Sequence, residues 1–416
     1  MKILYILGAY KPRASANGIC SDNVIKNLVQ NGHSVTVLAN EMFGGAEFDS
    51  KVETIDVIRV KNRLPLRLKE WGEINYKKRS LNSRIALILA YCLNKMQLIF
   101  SIPFWPIISF STVYRFKKKA LQLQKLNSFD MVISVYTPIE SLLAGYEIKK
   151  KYKTIKYVPY FLDALSNGYA PKIFSRKIIM KRGTRIEEKI FSAADTVVLM
   201  QSSRDFYNNR QNDKNIFLDI PMLLDLEVDD SHLKNFRKPE KYKILYTGTI
   251  HHNVRNPSTL INVLLELQRD DVICEFIGDI DCLNKFSALK QKMGDRLIFT
   301  PFVSHDKIRE KFIEADFLLN IGNSISTMVP SKIFEYMSYR KPIISTFNID
   351  DEPSKKYLTY YPDVLLLSES NDAKTNALLL SSFIDKEREE ISFERLKDIF
   401  KLNLPQTFTD YIVEGK

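Results

Sequence analysis

The stretch Lys243-Ile244-Leu245-Tyr246-Thr247-Gly248 decides how this chain is organised. It reads as a buried strand that runs into a glycine turn. The N-terminus has the same grammar, in Met1-Lys2-Ile3-Leu4-Tyr5-Ile6-Leu7-Gly8. Two such starts predict two halves built alike. In the first half, Ile3–Leu7 is followed by a helix over Ser21–Gln30 that stops at Asn31-Gly32. Strands are expected at Ser34–Ala39 and Val52–Val60. After a long insertion they resume at Met131–Val135, Tyr157–Leu162 and Thr196–Met200. In the second half, strand candidates Glu275–Ile277, Leu297–Thr300, Phe317–Ile321, Pro342–Ser345 and Val364–Leu367 alternate with helical patterns. Strand–helix alternation with short turns predicts parallel sheets covered on both faces. At 416 residues the chain exceeds one typical core. The expected fold is α/β, with two doubly wound parallel-sheet (Rossmann-like) domains facing across a cleft. They span 1–222 and 223–395, with 396–416 as a C-terminal helix packing back on the first. Ligands of such sheets bind at the carboxyl ends of the strands.

Working outward, Val329-Pro330-Ser331-Lys332-Ile333-Phe334-Glu335-Tyr336-Met337 reads as a helix start that can hold a phosphate. Pro330 suits the first helical position, where a missing N–H costs nothing. The backbone N–H groups of Ser331, Lys332 and Ile333 would then point out where an anion is favoured. At about 100° per residue, Ile333, Phe334 and Met337 share one face, and Glu335 lies opposite, beside Ser331. A carboxylate there accepts hydrogen bonds from ribose or sugar hydroxyls. An ordinary amphipathic helix with a solvated glutamate fits the same spacing.

Hydrophobic content of 45% and charged content of 26% are ordinary, but a net charge of +12 points to an anionic surface or ligand. Cys20, Cys92, Cys274 and Cys282 have no ligand-like spacing and read as reduced thiols of a cytoplasmic protein. No secretory signal is read at the N-terminus. Asp279 and Asp281 form a D-x-D after Gly278, and His251-His252 are adjacent. Both read as turn chemistry rather than as metal ligands, so no metal is expected. The insertion, at about 62–120, has no charge from Met96 to Tyr114 and contains Phe100, Phe104, Trp105 and Phe110 with two prolines, Pro103 and Pro106. Arg63, Arg67, Lys69, Lys77, Lys78, Arg79 and Arg84 precede it, and Arg115, Lys117, Lys118 and Lys119 follow. The stretch is barely the about 20 residues a spanning helix needs, and basic flanks on both sides argue against crossing. In-plane immersion on an anionic leaflet fits, with Phe100, Phe104 and Trp105 at the interface and Lys117 and Lys118 on the headgroups. A buried helix pair supporting the first sheet is the other reading. Nucleic-acid binding explains the charge less well, because no recognition motif appears.

The ordered set of motifs resembles the GT-B superfamily of retaining glycosyltransferases, in particular the group called family 4. The resemblance rests on Asn17-Gly18, then Gly32-His33-Ser34-Val35-Thr36-Val37, then Glu188 before Ala194-Asp195-Thr196-Val197. It continues through Ile220-Pro221-Met222-Leu223-Leu224-Asp225, Leu245-Tyr246-Thr247-Gly248 and Ala315-Asp316 to the Pro-Ser-Lys and Glu-Tyr-Met block. It implies transfer of a sugar from a UDP- or GDP-sugar without a metal or other cofactor, with the donor on the second domain. It also implies that Glu335 holds the donor ribose and that Ser331 and Lys332 receive the diphosphate. Gly18 and Gly248 would let backbone approach the donor, Phe302 and Val303 would read the base, and Arg255 would offset charge on the leaving group. Thr327 stands where the family's first glutamate falls, and Val329 lies in the backbone segment that would grip the sugar instead. Arg340 replaces a glycine, at a cost of about 1 kcal/mol if its backbone is left-handed. The family's first-domain histidine is missing around Val135-Tyr136-Thr137-Pro138, which leaves Asp163 as the polar candidate there. Family members acting on lipid-linked acceptors often sit on membranes. The expectation is a peripheral enzyme on the cytoplasmic face of the cell membrane, using a lipid-linked saccharide in bacterial surface-polysaccharide synthesis. A catalytically degenerate GT-B partner protein and a GT-B nucleotide-sugar isomerase are the alternatives.

Overall fold

The computed structural model describes the chain except residues 12–14, 42–48, 53–54, 77–79, 168–174, 211–212, 227–238, 302, 304, 325–328 and 416. It divides into two compact units, Met1–Pro221 with Pro405–Lys416, and Met222–Leu404. The return to the first unit therefore begins at Pro405, later than 396. The segment before it stays with the second unit, where Leu223 N–H donates to Asn403 C=O at 3.1 Å.

The first unit is an eight-stranded sheet. Its strands are β1 (Lys2–Ile6), β2 (Ser34–Asn40), β3 (Asp49–Val52), β4 (Ile55–Val60), β5 (Met131–Tyr136), β6 (Lys156–Phe161), β7 (Val197–Met200) and β8 (Asn215–Leu218). They lie in the order β3-β4-β2-β1-β5-β6-β7-β8. Seven run parallel, and β3 pairs antiparallel with β4. The single strand expected over Val52–Val60 is thus two strands, Val52 ending β3 and Ile55–Val60 forming β4. All six residues of β5 are buried, as a central parallel strand covered on both faces requires. The chain winds outward from β1 through β2 to one side and then restarts at β5 on the other. The order switches between β1 and β5, where a ligand crevice forms in such sheets.

The helices of this unit are α1 (Ala16–Gln30), α2 (Leu64–Tyr76), α3 (Leu81–Ser101), α4 (Phe110–Asn127), α5 (Ile139–Lys151) and α6 (Arg176–Ala193). Helix α1 starts five residues before the expected Ser21, because Ser15 caps it: its Oγ accepts from Gly18 N–H at 3.3 Å. Gly18 therefore sits inside the first helical turn with its N–H satisfied, not in an open loop as the resemblance implied. The C-terminal segment docks on α1, where Asn27 donates to Gln406 Oε1 at 3.0 Å and accepts from Thr409 Oγ1 at 2.6 Å. Lys156 Nζ donates to Ile412 C=O at 2.6 Å.

The second unit is a six-stranded parallel sheet of β9 (Tyr242–Thr247), β10 (Val272–Ile277), β11 (Leu297–Thr300), β12 (Phe317–Ile321), β13 (Ile343–Phe347) and β14 (Val364–Ser368). Their order is β11-β10-β9-β12-β13-β14, so the winding reverses between β9 and β12. The loops that follow these two strands are where its chemistry gathers.

Candidate functional site

At the carboxyl end of β9, Gly248 takes φ +137°, and at the end of β10, Gly278 takes φ +140°. A Cβ on Gly278 would lie 2.0 Å from the Gly248 carbonyl oxygen, so only glycine lets the two turns touch. The ladder then continues past them, with Gly248 N–H to Ile277 C=O at 2.9 Å and Ile250 N–H to Asp279 C=O at 2.8 Å. This fixes the loop that carries Arg255. Its Nε donates to Asn323 Oδ1 at 3.1 Å and its Nη1 to Thr249 C=O at 2.8 Å. Asn323 is fully buried just past β12, and its own N–H donates to Glu352 Oε1 at 3.1 Å. Glu352, itself buried, also accepts from Ser354 N–H at 3.0 Å. A buried carboxylate thus holds one loop, whose asparagine holds the guanidinium at the switch point. The sequence reading named Arg255 but missed Asn323 and Glu352, since an Asn after a strand and a Glu in Asp-Asp-Glu-Pro look like solvated turn residues.

The short helix Lys332–Ser338 carries the second group. Ile333, Phe334 and Met337 are fully buried and Glu335 is half-buried, as the spacing predicts. The first helical position is Lys332, with Ser331 before it, so Pro330 lies outside the helix and not at its first position as the sequence predicts. Ile333 N–H turns back to Pro330 C=O at 3.3 Å, so it does not point outward as expected. The first turn closes tightly on the proline carbonyl, which takes that donor. Lys332 Nζ lies 2.9 Å from Glu335 Oε2, one turn along, and 5.4 Å from the centre of the Phe312 ring. Arg340 does adopt the left-handed conformation, at φ 55°, and its guanidinium donates to Leu226 C=O at 3.1 Å. Val303 and Val329 are half-buried. Phe302 and Thr327 lie outside the described residues.

Asp281 shows what the D-x-D does. Its carboxylate accepts from His252 N–H at 3.1 Å and sits 3.2 and 3.3 Å from the His252 and His251 rings. The His252 backbone N–H, with the two histidines, holds its pKa down to about 2. Among the described residues, no three His, Cys, Asp or Glu side chains cluster as metal ligands would.

In the first unit, the loop after β1 is pinned from beneath by Arg59 of β4. Its guanidinium donates to Tyr10 C=O at 3.3 Å and to Lys11 C=O at 2.5 Å. Tyr10 OH donates to Asp22 Oδ1 at 2.8 Å. Arg59 is buried, although Ile-Arg-Val alternation reads as an outward arginine. Asp163 is exposed two residues beyond β6. Just after it, Ser166 is tied to a glutamate, but to Glu187 rather than to Glu188. Glu187 is fully buried and accepts from Ser166 N–H (2.9 Å), Ser166 Oγ (2.7 Å), Tyr207 OH (2.9 Å) and Arg210 Nη1 (2.7 Å). Glu188, the residue matched on sequence, faces solvent.

The insertion forms α2, α3 and α4. Phe100 is 72% exposed and Phe104 53%, its ring edge-on to Phe110 at 5.0 Å. Trp105 is 6% exposed, which corrects its placement at an interface. The single 3₁₀ turn Ile102–Phe104 ends in extended backbone at Trp105, sending Phe104 outward and the indole inward. Lys117 pairs with Glu147 at 3.0 Å, whereas Lys118 is exposed. The apolar surface also begins earlier than the uncharged window suggested. Leu81–Phe104 is, by length and composition, long and apolar enough to cross a membrane, and little of it is buried. Arg84 and Lys95 had concealed it.

Residues 241–365 match the family model described as glycosyl transferases, group 1. The second unit is a glycosyltransferase domain. No curated protein matches the chain in sequence. Among solved structures, Anabaena Alr3699/HepE in complex with UDP and glucose superposes with a TM-score of 0.53 at 13% identity, over 99% of this chain and 95% of that one. The lipopolysaccharide outer core galactosyltransferase WaaB, in its apo form, gives 0.53 at 13%, over 100% of each chain. A structure named as trehalose-6-phosphate from E. coli bound with UDP-2-fluoro glucose gives 0.55 at 11%, over 100% and 97%. At these identities the likeness is one of fold. The domain match makes the chain a glycosyltransferase, and its two wound sheets make it one of GT-B type. In this glycosyltransferase Arg255, Lys332, Ser331 and Glu335 all fall within the matched domain.

Proposed function

We propose that the chain is a retaining glycosyltransferase that moves a sugar from a nucleotide diphosphate sugar to a lipid-linked saccharide, at the cytoplasmic face of the cell membrane. The pathway class is bacterial surface polysaccharide: capsule, exopolysaccharide or O-antigen. One observation carries the donor half of this reading. A guanidinium is clamped between Asn323 Oδ1 and Thr249 C=O beyond β9, at the point where the strand order of the matched domain reverses. A fixed cation there stabilises charge on a departing diphosphate without reorganising during the reaction. HepE and the E. coli structure hold UDP or a UDP-sugar on the same fold, which supports a UDP-sugar donor.

Lys332 and Glu335 neutralise each other across 2.9 Å. Donor binding exchanges that pair: the ammonium turns to the diphosphate and the carboxylate accepts from ribose hydroxyls. The leaving phosphate oxygen takes the acceptor's proton on the same face of the sugar, so no protein nucleophile is required. The reaction is metal-independent in this reading, because the Asp281 carboxylate is already engaged by the His251–His252 loop.

The membrane half rests on the insertion. Residues 62–120 hold twelve Lys or Arg against two Glu, nearly the whole of the chain's +12. The same segment exposes Ile85, Ile88, Leu89, Met96, Ile99, Phe100 and Phe104 on α3 and the turn after it. Apolar residues interleaved with cations suit an anionic leaflet. Thermal shift with a panel of nucleotides and nucleotide sugars tests the donor site: one UDP- or GDP-sugar stabilises wild type, and Glu335→Ala loses that stabilisation. Thr327, where the family has glutamate, favours the second reading of a catalytically degenerate partner protein, and no stabilisation by any donor decides for it.

A further inference from the structure

Helices α2 and α3 pack against each other within the first unit, most closely at Gly72. A Cβ on Gly72 would lie 2.8 Å from the Leu87 side chain and 3.2 Å from the Ser83 carbonyl oxygen, so the glycine makes room for α3 to pack closely there. On one side of this contact is a cavity of about 450 Å3, lined by Leu64, Arg67, Leu68 and Trp71 of α2 and by Asn82, Ile85, Ala86 and Leu89 of α3. Its size falls within the about 300–1,000 Å3 of small-molecule sites. Each helix contributes positions i, i+3, i+4 and i+7, the spacing of a single helical face. On α2 and α3 alike, three of the four residues are apolar and the fourth is polar, Arg67 or Asn82.

An apolar trough with one cation and one amide fits an amphiphile with a single anionic head. Arg67 Nε lies 3.5 Å from Glu41 Oε2, which holds the guanidinium at the wall of the trough. The trough is continuous along α3 with the exposed face of Ile88, Ile99 and Phe100, and α3 adds Arg84 and Lys95 to the cations around it. We infer that this trough takes the hydrocarbon chain of a phosphate-headed lipid, with the phosphate at Arg67. The inference deepens the lipid-linked acceptor reading and rests on it, since the bound chain would be that of the acceptor or of its carrier. The exposed α3 face would hold the protein on the leaflet, and the trough would select one lipid from it.

The chain has two tryptophans, Trp71 in the trough and buried Trp105, so Trp105→Phe leaves Trp71 as the sole reporter. The probes are farnesyl phosphate below its micelle concentration, farnesol and inorganic phosphate, with flotation on phosphatidylglycerol vesicles measured separately. Farnesyl phosphate is expected to blue-shift Trp71 emission saturably, with farnesol at least tenfold weaker and inorganic phosphate silent. Leu64→Ser and Leu89→Ser, at exposed positions, should each weaken the response at least tenfold, as should Ala86→Phe, which fills the trough. Ile88→Ser with Phe100→Ser should lose flotation while keeping the farnesyl phosphate response. An unchanged Trp71 spectrum with flotation intact overturns the trough and leaves the membrane reading standing. A response to farnesyl phosphate without flotation upholds the trough and removes the membrane surface instead. A response to inorganic phosphate alone, or a dimer in light scattering that Leu89→Ser dissolves while farnesyl phosphate stays silent, assigns the trough to an ion or to a second copy and overturns the proposal.

Discussion

Replacing Glu187 by glutamine tests the assignment of the first unit's structural carboxylate. Its Oε1 receives Ser166 N–H and Tyr207 OH, and its Oε2 receives Ser166 Oγ and Arg210 Nη1, all at 2.7–2.9 Å with no solvent exposure. An amide keeps the shape but must point its NH₂ at one of these donor pairs. Of each pair the hydroxyl can turn to accept from the NH₂, but Ser166 N–H or Arg210 Nη1 cannot, so one charge-assisted hydrogen bond worth roughly 1.5–3 kcal/mol is lost and Arg210 is left without its counter-charge. Breaking one side of a buried ion pair costs about 3–5 kcal/mol, which sets the expected loss. In a unit of this size, about 2–4 °C of Tm per kcal/mol makes that a drop on the order of 10 °C. Both tryptophans lie in the first unit, so thermal unfolding followed by their fluorescence reads this unit alone. Exposed Glu188→Gln is the control and should stay within about 0.5 kcal/mol of wild type. A cycle with Arg210→Ala should show strong coupling to Glu187 and none to Glu188. Equal effects of the two glutamines, or a Glu187→Gln protein as stable as wild type, would mean that Glu187 is not the carboxylate that holds Ser166, Tyr207 and Arg210 together.

Further outcomes follow from the same geometry. Gly278→Ala forces a Cβ onto the Gly248 carbonyl at φ +140° and should cost at least about 3 kcal/mol, whereas Gly294→Ala, with open space around it, should cost about 1 kcal/mol; urea midpoints compare them. Arg255→Ala should lower turnover by a factor on the order of 10², and Asn323→Ala by roughly tenfold through a misplaced guanidinium; single-turnover transfer with the stabilising donor measures both, and wild-type rates in either would remove the clamp from the mechanism. Burial pulls the Lys341 pKa down to about 8, and its amine donates to the carbonyls of Ile313 and Ala315. Between pH 8 and the unfolded value near 10.5 the unfolded chain binds the extra proton, so stability relative to Lys341→Met should rise with pH across that window and stay flat below it. Replacing Ile88 and Phe100 together by serine should abolish flotation on anionic vesicles, while the conserved-charge change Lys117→Arg should leave it intact.

The sequence alone determined the two wound sheets. Apolar runs such as Met131–Val135 and Phe317–Ile321, each closed by a turn and followed by a helix, have few other ways to bury both faces. It also placed Glu335 opposite Ile333, Phe334 and Met337, because helical periodicity is local. It named Arg255 through spacing and resemblance. What it could not show were contacts made by residues far apart in the chain. Arg59 reaches back to Tyr10 and Lys11, Arg255 meets Asn323, and Asn323 leans on Glu352. Glu187 and Glu188 are neighbours with the same chemistry, and only the rotation of α6 against Ser166 and Tyr207 chose the buried one. The same holds for Trp105, sent inward by one extended residue after a 3₁₀ turn. The trough between α2 and α3 had no signature, since two amphipathic stripes line a cavity only once the helices pack side by side. Periodicity reports which face a residue occupies. Tertiary structure decides what stands opposite it, and buried polar chemistry depends on that partner.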